Sequence, residues 1–127
     1  QGTNQSTGIP LPYIPALHSQ HELKWTFKTG KNSMLNHPYA TIQLEVHFAQ
    51  KRVDEFETPT PGVVLLNSTV GTQLKVGKQN WTLFIGGKNL TNRSYFDHLN
   101  RLKPMGIHNM GLNATVGVLI PIGLYEK

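Results

Sequence analysis

Six histidines, seven carboxylates and no cysteine form the metal-ligating and acid–base inventory of this 127-residue chain. The missing thiols remove disulfides, thiolate metal sites and cysteine catalysis together. His18 and His21 stand three apart in a stretch of period two, so they face opposite ways and share no ligand. His47 lies two residues from Glu45 on one face and reads as a polar pair, and His37, before Pro38, reads as a solvated turn residue. The densest polar mix is elsewhere. Asp97, His98, Arg101, Lys103 and His108 share one long connection, and Asp54, Glu55 and Glu57 share the preceding long one. Those eight are the candidate binding residues. Arg101 offers planar donors to an anion and His98, three residues away, a neutral nitrogen. No metal ligand set is assigned among them, and the interleaved Leu99 and Leu102 equally allow this stretch to pack as a rim.

Catalysis is not expected. The sequence has no serine nucleophile elbow, phosphate-cradling glycine loop or HExxH. Asp54, Glu55 and Glu57 lie in one loop without a basic or apolar pocket to separate their pKa values, so they make a poor acid–base set. We therefore expect neither an enzyme nor a cofactor. Nucleic acid is not expected as a partner either, because the 12 Lys and Arg that give the net charge of +5 are scattered, the tightest groups being Lys51-Arg52 and Arg101-Leu102-Lys103. Charged residues make up only 15% of the chain, against about 25% in ordinary soluble domains, so something other than charge must cover its surface.

The elements that hold these residues follow a period of two. In 17–28, Leu17, Leu23, Trp25 and Phe27 share one parity, while Glu22, Lys24 and Lys28 hold the other. In 39–50 the apolar row is Ile42, Leu44, Val46 and Phe48, opposed by Gln43, Glu45 and His47. From 62 to 76 the row is Val64, Leu66, Val70, Leu74 and Val76, blurred only by Val63 and Leu65. Trp81, Leu83 and Ile85 mark a fourth strand, with Gly86-Gly87 as a place where bulk is unwanted, and 112–122 a fifth, with Val116, Val118 and Ile120 in one row. The expected fold is all-β, an antiparallel meander of about five long strands. Its connections alternate: the lead 1–16, a compact turn 30–38, a long loop 51–61, a turn 77–80 and the longest loop, 91–110.

No run reaches 18 apolar residues, which excludes transmembrane helices but not transmembrane strands. Strands of about ten to fourteen residues, with one uncharged row each, suit a tilted bilayer crossing, and Trp25, Phe27, Tyr39 and Trp81 fall together at the ends beside the short turns, as an interfacial girdle requires. A soluble β-sandwich binding module with one solvated face shows the same alternation, so both architectures stay open on periodicity alone.

The residues also resemble a known family over most of the chain. Leu65-Leu66-Asn67-Ser68-Thr69-Val70-Gly71 and the strand end Gly87-Lys88-Asn89-Leu90-Thr91-Asn92 are similar to the C-terminal barrel strands of TonB-dependent receptors of Gram-negative outer membranes, and Tyr95 with 97–103 is similar to their last extracellular loop. Leu11-Pro12-Tyr13-Ile14-Pro15 resembles the lead into one of their late strands. Met110-Gly111-Leu112-Asn113 departs from the family's Pro-Gly-Arg-Asn, and Tyr125 stands near the end in place of a terminal aromatic. The resemblance implies that residues 1–127 are the C-terminal part of a 22-stranded barrel, a single partial domain with the plug domain absent. It also implies a receptor for active uptake of a scarce nutrient, a metal chelate such as a ferric siderophore. The partners would be the rest of the barrel and its plug, the TonB energy-transducing complex reached through an N-terminus not in this segment, the bilayer and the small chelate. Leu23, Trp25, Phe27, Ile42, Leu44, Val46, Leu66, Val70, Leu83, Ile85, Val116, Val118 and Ile120 would face lipid. The two open sheet edges of the isolated segment predict self-association.

Overall fold

A computed structural model describes residues 2–30 and 33–122. Five strands form one antiparallel sheet in chain order: β1 His18–Thr26, β2 Leu35–His47, β3 Val63–Val76, β4 Gln79–Lys88 and β5 Asn113–Leu119. The expected all-β meander is present. A single 3-10 turn, Lys103–Met105, interrupts the longest loop.

Register carries the alternation from strand to strand. Leu23 pairs with Ile42, Leu44 with Leu66 and Ala40 with Val70, Val70 with Ile85, and Ile85 with Val116 and Leu83 with Val118. Paired residues of an antiparallel ladder share a face. One face of the sheet is therefore an apolar surface without a formal charge. The other holds Glu22, Lys24, Gln43, Glu45, Asn67, Gln73 and Lys88 in the same ladders. Nothing among the described residues covers the apolar face: Leu23 is 64% exposed, Ile85 58% and Val116 75%. The chain exposes 9939 Å² in all, where a compact monomer of 14.2 kDa exposes roughly 6,800 Å². Leu65 is the one buried hydrophobic residue among those described. It lies on the polar face, which is why Leu65 blurred the alternation.

The strand limits correct several expectations. β1 ends at Thr26, so Phe27 lies just past it, although its N–H still donates to the Pro38 carbonyl at 2.8 Å. β5 stops at Leu119 and leaves Ile120 beyond the ladder, seven residues long instead of the eleven expected from 112–122. The turn expected at 77–80 shrinks to Gly77-Lys78, with Val76 paired to Gln79 and Gly77 at φ 62 supplying the positive φ that two-residue hairpins need. The expected 30–38 turn is partly strand, because β2 begins at Leu35. The ladder slips between Asn36 and Tyr39, where His37 and Pro38 oppose Thr72 alone. That bulge, with His37 at φ 49, resets the parity, so Leu35 and Ala40 share the apolar face although five residues apart. Tyr125 lies outside the described residues.

Glycines on the polar face make room for aromatic rings. A Cβ on Gly71 would sit 2.6 Å from the Tyr39 ring, and one on Gly117 would collide with the Phe84 ring. Each pair is a cross-strand neighbour, Tyr39 with Gly71 and Phe84 with Gly117. The ring lies over the bare backbone and shields it.

Candidate functional site

Both long loops leave the same end of the sheet, and each is tied shut at its base. Gln50 and Thr60 exchange two backbone hydrogen bonds of 2.9 Å, closing the first loop. The second is closed by asparagines. Asn89 and Asn92 sit at φ 50 and 49, a conformation Asn tolerates better than most residues. Asn89 Nδ2 donates to the carbonyls of Arg93 (2.8 Å) and Met110 (3.3 Å), its Oδ1 accepts the Arg93 N–H, and Asn92 Oδ1 accepts the Leu112 N–H at 3.0 Å. The Asn-Leu-Thr-Asn sequence thus joins the start of the loop to its end. Asn67 anchors this knot to the sheet: its Oδ1 accepts the Asn89 N–H at 2.9 Å and its Nδ2 donates to Gln43 Oε1.

The two loops then lock onto each other. Lys103 Nζ donates to the carbonyls of Thr58 and Pro59 and to Thr60 Oγ1, which commits its three protons. Thr60 Oγ1 also meets His98 Nδ1 at 2.8 Å. His98 Nε2 lies 3.9 Å from Glu57 Oε1, with the two side chains 3% and 13% exposed. Glu57 accepts the N–H groups of Tyr13 (2.9 Å) and Asp54 (3.3 Å), so the lead segment joins the same knot. Burial lowers the pKa of Lys103, with the Glu57 carboxylate opposing the shift. Burial raises the Tyr95 phenol, as do Glu45 and Asp97, against a hydrogen bond from Asn109.

His98 and Leu99 line two clefts. One, of about 340 Å³, lies over the sheet and is lined by His18, Glu45, His47, Phe96 and Asp97 among others. The other, of about 640 Å³, opens outward among Tyr13, Phe56, Glu57, Leu99, Arg101 and Lys103.

Of the eight candidate residues, Glu57, His98, Arg101 and Lys103 come together at the outer cleft, and Asp97 lines the inner one. The two long loops therefore meet. Asp54, Glu55 and His108 line neither cleft. Asp54 contributes its backbone to Glu57, and His108 stacks on Phe96 with ring centroids 4.1 Å apart. Asp97 Oδ1 accepts the Leu99 N–H, which holds the local turn. No group of three or more His, Asp and Glu side chains suited to a metal ion occurs among the described residues.

Three contributions escaped the sequence reading. Thr60 is the hinge of the knot, 4% exposed, yet a lone Thr between prolines gives no signal. Asn67 and Asn89 act through hydrogen bonds that only a register reveals. His18 stands opposite His47, their rings 6.1 Å apart and near parallel, a cross-strand neighbour the sequence did not indicate, whereas the expected Glu45–His47 pair is present, with His47 Nε2 2.7 Å from Glu45 Oε1. No protein-family model matches the chain, and neither does any curated protein or solved structure compared with it.

Proposed function

We propose that this chain is the C-terminal strand set of a 22-stranded outer-membrane barrel of the TonB-dependent receptor type, which takes up a scarce nutrient such as a ferric siderophore. The observation that carries the reading is the uncovered apolar face. Five rows in register, from Leu23 through Ile42, Val70 and Ile85 to Val116, stay exposed and bear no charge. In water such a surface is costly, at about 25 cal/mol for each Å² of apolar area. Against hydrocarbon it is the expected exterior of a barrel, with the polar face turned to the lumen.

Supporting features agree with this orientation. Backbone groups on the outer sides of β1 and β5 face no strand of this sheet, and further strands would pair with them. Long knotted loops at one end and short turns at the other are the usual asymmetry of such barrels. The loops then stand at the outer mouth, where a rigid scaffold presents polar side chains to a ligand. The natural polypeptide containing this segment should fractionate with outer membranes, resist urea extraction, and run faster in gels when unheated than when boiled. Recovery from the soluble fraction with no heat-dependent mobility would overturn the proposal.

A further inference from the structure

We infer that His18 and His47 form a two-histidine site for a divalent transition-metal ion in the cleft of about 340 Å³ over the sheet. The inference goes beyond the receptor reading and does not rest on it, because both ligands belong to the β1–β2 ladder whatever that ladder is part of.

The first observation is register. His18 and His47 are direct cross-strand partners, and such pairs share one face with Cβ atoms about 4.5–5.5 Å apart. Their ring centres are 6.1 Å apart. A ring nitrogen about 2.1 Å from an ion puts the ring centre about 3.2 Å from it, so one ion reaches both rings up to a separation of about 6.4 Å. The rings lie at 25° to each other, so His18 must turn an edge toward the ion. Its side chain is exposed and makes no hydrogen bond among the described residues, which leaves it free to turn.

The second observation is which nitrogens are free. His47 Nε2 meets Glu45 Oε1 at 2.7 Å, and a carboxylate only accepts, so Nε2 carries the proton and Nδ1 of the neutral ring keeps its lone pair. A carboxylate on the far nitrogen is the usual outer support of a metal-bound imidazole, because it fixes the tautomer and makes the ligating nitrogen more basic. Nδ1 is not sealed off: among the described residues the buried side-chain atom without a partner is His98 Nε2. Glu45 has its second oxygen on Asn67 Nδ2 at 3.4 Å, and His98 Nδ1 is held by Thr60 Oγ1. The cleft therefore offers two neutral imidazoles. Imidazole suits Ni²⁺, Cu²⁺ and Zn²⁺, whereas Mg²⁺ and Ca²⁺ take oxygen ligands. Two protein ligands leave the rest of the coordination sphere to water, and a cleft of about 340 Å³ has room for it at about 30 Å³ per molecule.

Nickel chloride is the probe and magnesium chloride the control. Calorimetric titration of the full natural polypeptide in detergent micelles at neutral pH should show a nickel site that His18→Ala and His47→Ala each weaken at least tenfold, while His21→Ala, three residues along β1 on the opposite face, leaves it within twofold. His18 is exposed at the start of β1, so His18→Ala keeps the fold. Nickel binding unchanged by His18→Ala, an equal loss with His21→Ala, magnesium bound as tightly as nickel, or no nickel binding at all would each overturn the site. Membrane fractionation of the same preparation reads the receptor proposal separately. A chain that inserts but ignores nickel removes only the metal site, and one that binds nickel yet stays in the soluble fraction removes only the barrel.

Discussion

Val116→Arg is the most informative single change in the sheet. Val116 lies at the centre of β5, pairs with Ile85 and is 75% exposed, so the substitution meets no packing obstacle and creates no cavity. In water an exposed strand residue of this kind changes stability by about 0.5 kcal/mol or less. Against the middle of a bilayer an arginine costs about 2–4 kcal/mol, which shifts the folding equilibrium roughly 30- to 700-fold. The neighbouring Thr115 provides the internal control. It pairs with Gly86 on the polar face, so Thr115→Arg should stay within about 0.5 kcal/mol of the parent. Urea unfolding of the natural polypeptide in lipid vesicles, followed by heat-dependent gel mobility, measures both. Equal losses at 115 and 116 would mean that the two faces are wrongly assigned, and no loss at either would mean that the apolar face does not meet hydrocarbon.

Other outcomes follow from the loop knot and its charges. Thr60→Val strands His98 Nδ1 and one Lys103 proton, and should cost about 1–3 kcal/mol, read as faster amide exchange confined to 51–61 and 97–105. Asn89→Ala removes three side-chain hydrogen bonds at a left-handed position and should cost about 2–4 kcal/mol, seen as earlier proteolysis in the 91–110 loop with the sheet intact. Alkaline titration separates two opposing effects. The folded chain holds the Tyr95 proton above the usual 10.0, so it binds more protons than the unfolded chain there and loses stability as pH rises past about 10. Lys103, lowered from 10.5, has the opposite sign: the unfolded chain holds more protons, so stability rises with pH up to about 10.5. Tyr95→Phe should remove the highest-pH step of the phenolate absorbance titration, and survival of that step would contradict the shift.

Faces were legible in the sequence because a period of two reports side-chain direction directly. The apolar rows of all five strands fall on one side of the sheet as their parity required. Register was not legible. Parity is unchanged when two strands slide by two residues, so nothing in the sequence placed His18 opposite His47 or Asn67 beside Asn89. The bulge at His37 and Pro38 hid the start of β2, since an extra residue breaks the alternation just where a turn would. The candidate site was half legible for the same reason. A meander of alternating long and short connections forces 51–61 and 91–110 to one end, which brought Glu57 to His98. Which of the loop's polar residues would turn inward depended on Thr60 and Asn109, whose roles are set by contacts across 38 and 12 residues.

The central claim is that the uncharged face of the sheet lies against lipid, and a nitroxide scan along β5 tests it most directly. Single labels at 113 to 119 in the natural polypeptide, reconstituted in vesicles, should show oxygen access peaking at 114, 116 and 118 and access to a polar nickel reagent peaking at 113, 115 and 117. Polar-reagent access that is equal at Val116 and Thr115, or that peaks at Val116, would place this face in water and contradict the account.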